Sequence, residues 1–124
     1  MFIEDLSSCN EYLKQEEYEQ QIRQILCSGQ DNEIQLYLRE STNGWNADYP
    51  CTLSILVKDQ QAVVNYFSED NEEIFASIGD LDREDDFRWQ IGANDYSVTG
   101  YQILSIEKVL YCALQFFHTQ EKTS

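Results

Sequence analysis

Proline, histidine and positive charge are scarce in this chain. Of 124 residues, one is proline, one is histidine and eight are lysine or arginine. Five glycines are scattered, so no glycine-rich phosphate-binding loop is present. The four cysteines, Cys9, Cys27, Cys51 and Cys112, include no Cys-x-x-Cys pair, which argues against a zinc finger or ribbon. Apolar runs extend over a few residues only, too short to span a bilayer. The opening residues Met-Phe-Ile-Glu-Asp offer neither the basic nor the apolar region of an export signal. A cytoplasmic protein with reduced thiols is therefore expected, with Cys27 and Cys112 packing as small hydrophobes. His118 lies close to the C-terminal residue. A catalytic base there would be poorly held, so neither a Ser-His-Asp nor a Cys-His mechanism is expected, and the chain reads as a non-enzyme.

What the chain does have is a core and an acidic surface. Hydrophobic residues make up 42% and aromatics 13%, enough for one folded domain over residues 1–124. Against 8 cations stand 23 Asp and Glu, for a formal net charge of −15. Such a field repels phosphate, which excludes nucleic acid and an anionic membrane face as partners. It favours a cationic partner, a metal or solubility alone.

The apolar spacing predicts an α+β domain. A first helix is expected after Ser7 and Ser8 as N-caps, with Cys9, Leu13, Tyr18, Ile22, Ile25 and Leu26 as its stripe, broken or bent at Gln15–Glu17 and ended by Ser28-Gly29. Strands follow at 34–39, 52–57, 62–67, 74–78, 87–91 and 97–104, with Gly100 marking a bulge in the last. The short polar link Lys58–Gln61 predicts a hairpin. Asn43-Gly44 and Pro50 mark turns in the loop 41–50. A closing helix starts at Ser105 and presents Ile106, Val109, Leu110, Ala113, Leu114 and Phe117. The expected architecture is a mainly antiparallel sheet of about six strands with N-terminal and C-terminal helices packed on one face.

Charge is concentrated between Glu69 and Asp86, where the net is −8. Two loops flank the strand at 74–78. One holds Glu72 and Glu73; the other holds Asp80, Asp82, Glu84, Asp85 and Asp86. Asp80-x-Asp82-x-Glu84 has the first three ligand spacings of a calcium loop, but Asp85 stands where the turn glycine belongs and Ile91 where the bidentate glutamate belongs. A glycosidase pair would need one desolvated carboxylate opposed to another across a cleft, and a run of neighbouring acids gives no such sign. A docking surface for a basic protein is the third reading, beside a merely solvated loop. Trp45, with Tyr49 near it, and Trp89, with Tyr96, are the aromatic candidates for an apolar anchor.

The runs Leu53–Val57, Ala62–Phe67, Ile74–Gly79 and Ile106–Phe117 resemble the first immunity-protein family of bacterial polymorphic toxin and contact-dependent inhibition systems. The resemblance covers roughly residues 50–118. It implies a small acidic cytosolic protein that binds and neutralises a toxin domain, often a nuclease or nucleic-acid deaminase, with no cofactor and no shared catalytic residue. Toxin-contacting positions vary within that family, so none is carried over. The alternatives are a small acidic structural or adaptor protein and a metal-dependent enzyme using the loop Asp80–Asp86.

Overall fold

The computed structural model describes residues 1–37, 51–67 and 74–119. Its elements are β1 (Phe2–Glu4), β2 (Cys9–Glu11), α1 (Gln15–Leu26), β3 (Asn32–Tyr37), β4 (Thr52–Lys58), β5 (Gln61–Phe67), β6 (Ile74–Ala76), β7 (Asp86–Ile91), β8 (Asn94–Thr99), a 3-10 turn at Gly100–Gln102 and α2 (Ile106–Thr119). The protein is α+β. Six strands form one antiparallel sheet in the order β2-β1-β3-β4-β5-β6, while β7 and β8 pair only with each other.

Register explains how the sheet is covered. Ile34, Ile55 and Val64 are aligned across β3, β4 and β5, as are Leu36, Leu53 and Tyr66. These rows form one face with Ile3 and Val57. Both helices pack there: Tyr18, Ile22, Ile25 and Leu26 of α1 and Val109, Ala113 and Phe116 of α2 are buried in the same cluster. The buried Tyr18 hydroxyl donates to the Ala113 carbonyl at 2.8 Å, which joins the helices across the core. Burial with no charged neighbour pushes that phenol above its ordinary range.

The opposite face is closed differently. Leu56 and Val63 point away from the helices and pack against Trp89, Ile91, Val98 and Ile103. The hairpin β7–β8 thus lies over the second face of β4 and β5 and does not extend the sheet. This corrects the expectation that residues 87–91 and 97–104 are strands of the main sheet. Uninterrupted burial along Leu53–Val57 is the consequence, since both faces of β4 are covered. The β4–β5 hairpin turns through Asp59 and Gln60, both with positive φ (51° and 64°), as a two-residue turn of this hand requires.

The amino-terminal reading is also corrected. Residues 9–11 form a strand paired with Phe2–Glu4, and the helix begins only at Gln15, where a break was expected. Ser7 and Ser8 are turn residues: their amides each donate to Asp5 Oδ1 at 2.8 Å. Cys9 and Leu13 consequently lie outside the helix and are exposed, Leu13 by 80%. Cys27 is exposed at the helix C-terminus, while Cys112 is half-buried against the core as expected. The helix stop at Ser28-Gly29 agrees with Gly29 at φ 78°. Gly100 makes no bulge. It is buried and opens the 3-10 turn.

Candidate functional site

Residues 79–86 connect β6 to β7 by a turn that crosses the 3-10 segment. Asp80, Asp82, Glu84, Asp85 and Asp86 are all exposed. The turn is anchored by its backbone. The Gly79 amide donates to the Tyr101 carbonyl at 2.5 Å, the Gly100 amide to the Asp85 carbonyl at 2.7 Å, and the Arg83 amide to the Asp80 carbonyl at 3.1 Å. Asp80 Oδ1 also accepts from the Asp82 amide at 3.0 Å, an Asx turn. Thr99 Oγ1 donates to Asp86 Oδ1 at 3.1 Å, tying the end of the turn to β8.

Two glycines make this seating possible. A β-carbon on Gly100 would stand 2.5 Å from Asp85 Oδ1 and 2.9 Å from Arg83 Cβ. On Gly79 it would run into the Ile103 carbonyl. Arg83, half-buried, lies 5.6 Å over the Phe87 ring and 3.6 Å from an Asp85 carboxylate oxygen. The local cation is thus engaged within the turn, and the carboxylates of Asp82 and Glu84 face solvent without an ion pair among the described residues.

Apolar side chains gather beside the acids. Seven large hydrophobic side chains are exposed among the described residues, and five of them are Ile74, Ile78, Leu81, Tyr101 and Tyr111. They belong to β6, the link from β6 to β7, the 3-10 segment and the first half of α2. Between β6 and α2 runs a groove of about 530 Å³, lined by Leu53, Val64 and Leu104 at its base and Phe75, Tyr111 and Cys112 on its walls, with Lys108 beside it.

The sequence candidates separate into three groups. Asp80, Asp82, Glu84, Asp85 and Asp86 are brought together on one turn. Glu72, Glu73 and Trp45 lie outside the described residues, as do Tyr49 and the loop 41–50. Trp89 is corrected: it is 6% exposed within the core beneath β7–β8 and cannot serve as a surface anchor. It faces inward because it shares a strand face with Ile91, which also packs on Leu56 and Val63. Its cross-strand partner Tyr96 is half-buried; burial and the hydrogen-bonded Glu33 carboxylate push its phenol up to about 12.

Sequence reasoning missed the groove and the exposed Ile78, Leu81 and Tyr111. A signal existed: Ile78 and Leu81 are large apolar residues inside or beside a strongly charged loop, where no core is available to them. Among the described residues, no group of three or more His, Cys, Asp or Glu side chains is arranged to hold a metal ion, and no helix is long and apolar enough to cross a membrane. In comparison with known proteins, the chain matches no family model and no curated sequence significantly.

Proposed function

We propose that this protein is a toxin-neutralising immunity protein, which binds a cognate basic toxin domain, a nuclease or nucleic-acid deaminase, through the acidic turn Asp80–Asp86 and the apolar surface next to it. One observation carries the reading: the exposed carboxylates sit on a turn clamped to the 3-10 segment, beside five exposed apolar side chains. A free acidic loop would lose conformational entropy on docking, whereas a clamped one has already lost it in folding. Self-repulsion among its acids is relieved when a cationic surface meets them. The apolar neighbours then supply burial that charge alone does not.

A toxin that cleaves or edits nucleic acid needs a cationic groove for its substrate. A rigid row of carboxylates fits that groove as a polyanion does. Neutralisation follows from occupancy and requires no chemistry on the toxin. The resemblance of the β4, β5, β6 and α2 sequences to immunity proteins supports the same class.

The decisive experiment begins with the adjacent reading frames of the source genome. The toxin domain encoded beside this chain is purified and titrated with it. Inhibition should be complete at one inhibitor per toxin. Inactivation by far less than one equivalent would mean turnover and would defeat the proposal, as would the absence of any inhibition.

A further inference from the structure

The sheet ends at β6, and that end is where the exposed apolar residues gather. The Ser77 amide donates to the Val64 carbonyl at 2.8 Å, so Ser77 faces β5. By the alternation of an antiparallel ladder, the backbone groups of Ile74 and Ala76 point to the outer side of the strand. Ala76 and Ile74 are both exposed. No described strand lies beyond them. A sheet edge of this kind is a template for another strand unless charge, proline or a covering element blunts it. The described strand is three residues long, and its side chains, Ile, Phe and Ala, bring neither charge nor proline.

Register places both surfaces that an added strand would need. Phe75 lies opposite Tyr66, on the helix-covered face, and lines the groove. Ile74 lies opposite Phe67, on the other face. A strand alongside β6 would send alternate side chains to these two sides. One set enters the groove over Leu104 and Val64, against Tyr111. The other set covers Ile74. The acidic turn with Asp80, Asp82 and Glu84 follows within a few residues of the end of β6. Lys108 stands beside the groove, so a positive side chain is disfavoured there and favoured at the turn.

We propose that β6 is a docking edge for an extended segment of the partner, which adds as a strand, places an apolar side chain in the groove between β6 and α2, and sets lysine or arginine against the acidic turn. This deepens the immunity reading and rests on it for the positive charge of the partner. Backbone pairing supplies affinity, and the groove and turn supply specificity.

The test uses a short fluorescein-labelled peptide that alternates lysine with leucine and phenylalanine. Two further peptides carry N-methyl groups on one or the other alternate set of backbone nitrogens, which keeps charge and apolarity but blocks one pairing edge. Binding is followed by anisotropy at low and high salt, and amide exchange of Ile74 and Ala76 is followed by NMR. One N-methylated set should bind about tenfold or more weakly, and the Ile74 and Ala76 amides should become protected. Ala76→Pro removes the outward amide at a position where an edge strand tolerates proline, and should weaken the unmodified peptide similarly. Should that variant misfold, the methylated peptides and the exchange data on the unaltered chain still decide. Equal binding by all three peptides, abolished by salt, would reduce the site to a charged surface and overturn the edge proposal. So would no binding at all. Failure of the immunity reading shows elsewhere, as the absence of stoichiometric toxin inhibition by a chain that nonetheless takes the peptide at its edge.

Discussion

On one face of the central sheet, two helices bury Tyr18, Ile22, Phe116 and Val109 against β3, β4 and β5; on the other, a hairpin covers little more than Leu56 and Val63. The helix side joins elements from both ends of the described chain. The hairpin side is continuous in sequence with the acidic turn, because β7 begins where that turn ends. The acidic turn of the proposed contact therefore sits apart from the helix-covered core, while the groove beside it borders that core at Leu53, Val64 and Leu104. Damage to the helix face should be felt everywhere, while damage near the hairpin should be felt locally and at the turn.

The strongest test of this contrast is a pair of truncations. Phe116→Ala should lower global stability by about 4 kcal/mol, since it empties a fully buried position. Trp89→Ala should cost about 3 kcal/mol. It should also accelerate amide exchange in β7 and β8 before exchange in β3 and β4 changes. Denaturant titration and native-state hydrogen exchange measure the two effects. Uniform acceleration across both faces in the Trp89 variant would mean that the faces do not open separately.

Gly100→Ala comes next in size, at about 2 kcal/mol, because the new β-carbon meets Asp85 and Arg83. Its exchange signature should be confined to residues 79–86 and the 3-10 segment. It should weaken toxin binding even though it alters no charge. Undiminished affinity would show that clamping the turn is irrelevant to recognition.

Tyr18→Phe should cost about 1 kcal/mol by removing the hydroxyl that donates to Ala113. It also makes the contrast pH-dependent. The unfolded chain releases the Tyr18 proton near 10.0, whereas the buried phenol holds it to higher pH. Above pH 10 the unfolded state therefore binds fewer protons, and stability falls as pH rises. Tyr96, pushed up to about 12, adds to the same fall. Melting temperatures from pH 8 to 11 should decline less steeply in Tyr18→Phe than in the unaltered protein.

Charge reversal at Asp82, Glu84 and Asp86 to lysine should have the smallest effect on folding, below about 1 kcal/mol with the exposed Thr99–Asp86 bond lost. Its effect on association should be large at low salt and shrink as the Debye length falls from about 10 Å at 0.1 M to about 3 Å at 1 M. Reversing Glu16, Glu17 and Glu19 on α1 is the control. Stopped-flow association rates that fall more for the control than for the turn variant would move the interface to the helical side.

Much of the helix face was legible because period and burial coincide there. Val109 and Ala113 recur at helical spacing, and Ile34 and Leu36 alternate as strand residues do, although the expected Phe117 is only partly buried and its neighbour Phe116 fills the core. The amino-terminal hairpin was not, because Cys9 and Leu13 stand four residues apart and so imitate the spacing of Tyr18 and Ile22, although the five-residue step from Leu13 to Tyr18 puts them on a different helical face. Local spacing could not reveal that Phe2–Glu4 is paired with Cys9–Glu11. The acids of the turn were legible as composition. That Trp89 faces inward was not, because alternation on β7 leaves open which side is covered until the hairpin is laid over Leu56 and Val63. The groove depends on where α2 diverges from β6, a tertiary relation with no local pattern.

The Tyr18 hydroxyl meets a carbonyl 95 residues further along the chain, and this has a consequence for the order of events during synthesis. Translation proceeds from the amino end at about 5–20 residues per second. On that scale α1 waits on the order of ten seconds, and β4 and β5 about half as long, before α2 emerges to complete the interior. Throughout that interval Ile55, Val64 and Leu53 have no α2 to close over them, and the nascent chain can form its local hairpins but not its final enclosure. Such long-range closure slows folding and leaves sticky intermediates in the meantime. The net negative charge of the same chain lies within residues 1–86, so it is in place to keep neighbouring nascent copies apart before the last helix arrives.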